Sequence, residues 1–267
     1  MIRAEFRGPL AVITLARGEK RNALTPEMLG SLESAIAQAS AAGREGRTRA
    51  LLLTGEGPVF CAGFDLSLCR EEAEAGGGGA TVLRSLLTGL SQAVAALREQ
   101  PLPVVIAAHG AALAGGCALL GAGDLVVTDA GAKLGYPVVR LGISPAVSAP
   151  WLRLKVGDGP ARARLLDPGV IDGREALRVG LVSRCVEQPA EVLPAAMEEA
   201  VALASKPPGA VRALRGWIGE VEGEVRSWAG LRASLSLTGG EEERRMLPAA
   251  WAARGPDGPS GAPRGAR

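Results

Sequence analysis

Two turns constrain this chain most. The first is Val59-Phe60-Cys61-Ala62-Gly63-Phe64-Asp65-Leu66. The second is Gly110-Ala111-Ala112-Leu113-Ala114-Gly115-Gly116-Cys117-Ala118. Each follows an apolar, strand-like run and leads into a helical pattern. Glycine and alanine leave the main chain open to close approach. At a strand-to-helix turn, bare N–H groups can face a ligand oxygen. Two of them converging on one oxygen form an oxyanion hole. No carboxylate follows the second turn, where Ala118 stands.

The 267 residues can bury a full core, as one large domain or as a domain with an appendage. A net charge of +2 and 3% aromatic residues argue against a nucleic-acid partner, which needs a basic footprint and stacking rings. Cys61, Cys69, Cys117 and Cys185 show no C-x-x-C spacing, and His109 is the single histidine. Free thiols in a reducing cytoplasm are therefore expected, with no zinc or other metal site. Arg3, Glu5 and Arg7 occupy the place of a secretory signal's apolar region, so none is expected. Pro101 to Gly123 carries no formal charge and is long enough to span a bilayer. Its Pro-x-Pro start, its glycines and the polar His109-Gly110 break instead favour a buried strand followed by a buried helix.

The pattern along the chain is strand, turn, helix, strand, which predicts an α/β fold. Residues 2–7 and 10–16 read as strands around Gly8-Pro9. A helix with Thr25 as N-cap is expected from Pro26 to about Ala42, stopping at Gly43. A strand follows at Arg49–Thr54. Residues 71–80 read as a mobile loop, and 81–99 as a helix. Strands are expected at Val104–Ala108 and Leu125–Thr128, with a helix over Leu113–Ala122. Asp172 should cap another helix, followed by an extended Leu181-Val182-Ser183. Residues 189–204 and about 207–251 read as helices, and Gly255–Arg267 as disordered. This divides the chain into a core over 1–195, a helical region over 196–252 and a tail over 253–267.

Four motifs, in order, resemble the crotonase superfamily of enoyl-CoA hydratases and isomerases over about residues 3–250. They are Asn22-Ala23-Leu24-Thr25, Phe60-Cys61-Ala62-Gly63-Phe64-Asp65-Leu66, His109-Gly110-x-Ala-x-Ala-Gly-Gly-Cys, and Leu141-Gly142-Ile143-x-Pro145. The resemblance implies a spiral of ββα units with C-terminal helices used for assembly into a homotrimer or dimer of trimers. It implies a cytoplasmic protein of fatty-acid metabolism with lyase-like chemistry. Its ligand would be an acyl-CoA thioester, with no metal or redox cofactor. The N–H groups of Phe64 and Gly115 would hold the thioester oxygen. Lys20, Arg21, Ala23, Ala62, Asp65 and Leu66 would lie along CoA. Lys20 and Arg21 also fit a solvated loop face, and Asp65 also fits a hydrogen-bonded turn.

The resemblance also places two glutamates where this chain has Ala118 and Val138. Hydration needs a base for water and an acid for the α-carbon, and neither residue can serve. The acid found in other branches past the Leu-Gly-Ile-x-Pro turn is missing from Ser144-Pro145-Ala146-Val147-Ser148. If 136–140 is extended, Tyr136, Val138 and Arg140 share one side and can line the acyl pocket. Arg140 could equally sit in a surface ion pair. Tyr136, Arg140 and Ser144 are the candidate helpers. Two readings stay open: an enolate-forming enzyme, such as a decarboxylase, that relies mainly on the oxyanion hole, and a non-catalytic acyl-CoA carrier or partner-binding protein.

Overall fold

The computed structural model describes residues 1–76, 80–222 and 229–252. Strands β1 (Ile2–Arg7) and β2 (Leu10–Leu15) form an antiparallel hairpin, with Arg7 opposite Leu10 and Gly8 at φ 57° in the turn. Helix α1 (Pro26–Arg44) starts where Thr25 accepts the Met28 N–H at 3.1 Å. It runs through Gly43 rather than stopping there. A Cβ on Gly43 would lie 2.7 Å from Leu102, so this glycine serves packing and not helix termination. Strand β3 (Ala50–Gly55) pairs parallel to β2.

Helix α2 (Ser67–Glu74) takes up part of the expected loop at 71–80. The Asp65 carboxylate accepts the Ser67 N–H at its start, and Glu72 accepts the Val82 N–H at 3.0 Å beyond its end. Gly77, Gly78 and Gly79 of that loop lie outside the described residues. Helix α3 (Ala80–Glu99) buries Leu83, Leu86, Leu87, Leu90, Val94 and Leu97. By length and composition it is the one described helix apolar enough to cross a membrane, but this leucine-rich face belongs to the protein core.

The uncharged stretch at 101–123 breaks into three elements, so it forms no spanning helix. They are β4 (Val104–Ala108), β5 (Ala111–Leu113) and α4 (Gly115–Leu120). The helix expected over Leu113–Ala122 is thus shorter, because Ala111–Leu113 pairs with β7 and Ala114 turns the chain at φ 50°. Next come β6 (Leu125–Asp129), β7 (Lys133–Gly135), and short 3-10 turns at Pro137–Leu141 and Pro145–Val147.

Helices α5 (Ala149–Val156) and α6 (Asp158–Leu166) lead to β8 (Val170–Ile171) and α7 (Gly173–Arg178). Asp172 caps α7 as expected, accepting the Glu175 N–H at 2.8 Å. The strand expected at Leu181–Ser183 lies three residues on, as β9 (Arg184–Val186). The reason is that the Leu181 and Val182 N–H groups close the end of α7 on the Ala176 carbonyl.

The main sheet runs β1-β2-β3-β4-β6-β9, parallel after the first pair, and the second runs β5-β7-β8. After β4 and again after β6, the chain adds a short strand to the second sheet. Cys61, bridged to Ala112, does the same after β3. This repeat brings both small-residue turns to one end of the sheets.

Helix α8 (Pro189–Ala204) covers the other face of the main sheet through Val192, Ala195, Ala196, Ala200 and Ala204. The division drawn between residues 195 and 196 falls inside it. Helices α9 (Pro208–Glu222), α10 (Ala229–Leu237) and α11 (Glu241–Ala252) follow. Arg215 ties α9 to Asp124 and to the carbonyls of Arg98 and Gln100. Helix α10 packs on α3 and the 145–147 turn, and α11 packs on the 137–141 turn. The tail expected to be disordered, Gly255–Arg267, lies outside the described residues.

Candidate functional site

Asn22 organises the first turn from beneath. It is fully buried, with φ 53°. Its Oδ1 accepts the Arg17 N–H at 2.9 Å, and its Nδ2 donates to the Glu56 and Val59 carbonyls at 2.8 and 3.0 Å. The adjoining backbone is stapled to the turn at three points. The Ala62 N–H donates to Arg21, the Leu24 N–H to Gly63 at 2.7 Å, and the Asp65 N–H to Leu24.

Asp65 is committed to this scaffold. One oxygen accepts the Ser67 hydroxyl at 2.6 Å and the Ser67 N–H, and the other accepts the Arg17 guanidinium at 2.7 Å. Burial alone would raise its pKa, but the bonds from Ser67 and Arg17 outweigh this and hold it below the usual carboxylate value. It therefore stays ionised at neutral pH and has no role as a proton-carrying acid there.

The second turn packs directly on the first. A Cβ on Gly63 would lie 3.0 Å from the Leu113 carbonyl, and one on Gly116 would lie 2.5 Å from the Cys61 carbonyl. Only glycine permits both approaches. Ala114 adopts φ 50° and ψ −112°, a strained conformation for a residue with a side chain, and its N–H donates to Gly135 at 2.9 Å. Gly115 then opens α4. Neither the Phe64 N–H nor the Gly115 N–H donates to any acceptor among the described residues. The Phe64 ring lies 3.1 Å from where a Gly115 Cβ would sit, so the two residues are neighbours across the turns. The arrangement leaves two uncommitted backbone donors in adjoining turns.

Around these donors the residues expected along CoA are brought together. Ala23, Ala62, Asp65 and Leu66 lie on the stapled turn, half-buried. Lys20 is exposed and Arg21 half-buried, and neither has a side-chain ion-pair partner among the described residues. The proposed helpers fare differently. Residues 137–141 form a 3-10 turn, so the alternation that would place Tyr136, Val138 and Arg140 on one side does not hold. Tyr136 is 1% exposed and donates to the Cys117 carbonyl of α4 at 3.3 Å. Arg140 is exposed, and its charge adds slightly to the lowering of the Asp167 pKa. Ser144 is half-buried, and its carbonyl accepts the Ser234 hydroxyl at 3.0 Å.

Ala118 is buried in α4, and Val138 packs on the core. His109 bonds the Gly57 carbonyl at 2.9 Å, a scaffold contact. Burial pushes the Cys61, Cys69 and Cys117 thiols up to about 12, so none supplies a thiolate. Among the described residues, no group of three His, Cys, Asp or Glu is placed to hold a metal.

A sequence model of the Enoyl-CoA hydratase/isomerase family matches residues 5–220, which takes in both turns. The chain belongs to the enoyl-CoA hydratase/isomerase family. It is similar to the crotonyl-CoA hydratase of Syntrophomonas wolfei, 34% identical over 210 residues, 76% of this chain and 75% of that protein. It is likewise similar to the short-chain-enoyl-CoA hydratase of Clostridium acetobutylicum, 32% identical over 78% and 77% of the two chains. Among solved structures, an enoyl-CoA hydratase/isomerase from Xanthobacter autotrophicus superposes with a TM-score of 0.80 at 28% identity, covering 95% and 97%. The crotonase-type α/β fold expected from the motifs is thus the fold of this family member.

Two scaffold roles in this enoyl-CoA hydratase/isomerase family chain were not assigned from sequence. Arg17 clamps Asp65, and Asn22 fixes the first turn. Asn22 had a signal in its motif. Arg17 had none, since its partner is distant in sequence.

Proposed function

We propose that this family member binds an acyl-CoA thioester, with the thioester oxygen between the Phe64 and Gly115 N–H groups. We propose further that its chemistry is an enolate-forming reaction other than ordinary hydration, decarboxylation being the simplest. The observation that carries this reading is the pair of uncommitted N–H groups in two turns locked together by glycine contacts. Such donors stabilise an enolate oxygen however the enolate arises. Loss of carbon dioxide produces one without a base to remove a proton. The relatives are named hydratases, but Ala118 and Val138 stand where the family resemblance calls for the glutamates of hydration.

A second reading, a non-catalytic acyl-CoA carrier, is favoured by the polar groups around the turns. Both Asp65 oxygens are committed and the neighbouring thiols stay protonated. Turnover separates the two. Crotonyl-CoA hydration, followed by loss of the conjugated-thioester absorbance, is expected to be absent. Carbon dioxide release from malonyl-type thioesters supports the enzyme, and tight binding of acyl-CoA without turnover supports the carrier. Robust hydration overturns the non-hydratase reading, and failure to bind any CoA ester overturns both.

We assign self-association, as a trimer or paired trimer, to the C-terminal helices. Leu193 and Val201 on α8 and Leu214, Trp217 and Ile218 on α9 are large apolar side chains left exposed, Trp217 at 62%. Light scattering is expected to give a mass of three or six chains, and a monomer would sink the assignment.

A further inference from the structure

We propose that the Tyr136 hydroxyl is the strut that holds α4, and with it the Gly115 donor, in position; this rests on the oxyanion reading above. Tyr136 is a positioning residue, since it touches the helix and not the ligand.

Helix α4 has six residues and is tightened at its end. The Gly121, Ala122 and Gly123 N–H groups donate to Ala118, Leu119 and Leu120, a three-residue spacing. In a continuing α-helix the Gly121 N–H would reach the Cys117 carbonyl. Here it does not, and the Tyr136 hydroxyl takes its place at 3.3 Å. Cys117 is fully buried and Tyr136 nearly so, which leaves no solvent access to replace the bond.

The residue before Tyr136 completes the clamp. The Gly135 carbonyl accepts the Ala114 N–H at 2.9 Å. Two consecutive residues therefore grip α4 on both sides of Gly115, one at Ala114 and one at Cys117. The strut thus joins the oxyanion helix to the segment that leads into Val138.

The test reads polarisation rather than turnover, so it serves an enzyme and a carrier alike. In 4-dimethylaminocinnamoyl-CoA the amine is conjugated to the thioester carbonyl, and donors at the carbonyl oxygen move its absorption to longer wavelength. The wild-type chain is expected to give this red shift on binding. Tyr136→Phe is expected to bind the probe and lose about half or more of the shift, because one of the two donors is no longer aimed. Ile36→Val, a core change in α1, is expected to keep the full shift and controls for general destabilisation. A folded Tyr136→Phe protein with an unchanged shift overturns the inference. If that variant does not fold, Tyr136→Met, which removes the hydroxyl and keeps an apolar side chain there, decides: a reduced shift supports the strut and an unchanged one overturns it. A wild-type chain that binds without any shift overturns the oxyanion reading itself, so the two failures are distinguishable.

Discussion

Asn22→Ala is expected to destabilise the protein by about 3–5 kcal/mol, since each buried group left without its partner costs about 1–3 kcal/mol. Three groups lose a partner together: the Arg17 N–H and the Glu56 and Val59 carbonyls. Asn22 is fully buried, so water does not replace the lost bonds. Alanine is also poorly suited to φ 53°, which asparagine tolerates. For a chain of this size the melting temperature should fall by about 10 °C. Asn22→Asp should do no better, because it places a carboxylate oxygen against two carbonyls. Thermal unfolding followed by circular dichroism checks this, and an Asn22→Ala variant within about 1 kcal/mol of wild type would refute the assigned role.

Gly116→Ala is the second large effect. The new Cβ would lie 2.5 Å from the Cys61 carbonyl oxygen and 2.8 Å from its Cβ, both on rigid neighbouring chain. Overpacking of this kind costs about 1–3 kcal/mol or more. The larger consequence is functional. Relief of the clash must separate the two turns, which carry one donor each. If the turns form the oxyanion hole proposed above, losing one donor costs on the order of 10²–10³ in rate, and the thioester red shift should fall accordingly. Gly30→Ala is the matched control. It lies on α1 with open space around its Cβ position and should be neutral or stabilising by about 0.5–1 kcal/mol. A Gly116→Ala protein with wild-type stability and full polarisation would show that the turns do not depend on their contact.

The locally written features of the fold were legible in the sequence. Thr25-Pro26 and Asp172 place their caps by chemistry within three residues, and both form the expected bonds. The β-rich runs became strands because each is long and uniformly apolar. The misreadings share a cause in tertiary context. Gly43 looks like a helix end until Leu102 is packed against it. Leu113 looks like the start of a helix until the partner strand at Lys133–Gly135 is known. Tyr136 and Arg140 looked like pocket residues under an assumed extended backbone, and the 3-10 turn at Pro137–Leu141 removes that premise. At the site, the close contact of the two turns was foreshadowed by their small residues, since glycine leaves room for one chain to approach another. The Arg17–Asp65 clamp, 48 positions apart in the chain, was not.

The backbone at Ala114 has a kinetic meaning. A glycine there would visit many conformations, whereas alanine at φ 50° is held in one by the Gly135 bond and by the packing of Gly63 against its side chain. The strain, about 1–3 kcal/mol, is borne by the folded chain before any ligand arrives. Little ordering of this turn is left for the moment of encounter, so more of the contact energy there is retained as affinity. An incoming thioester would meet a finished surface at Gly115, and its arrival should proceed in a single step without a slow rearrangement of the turn.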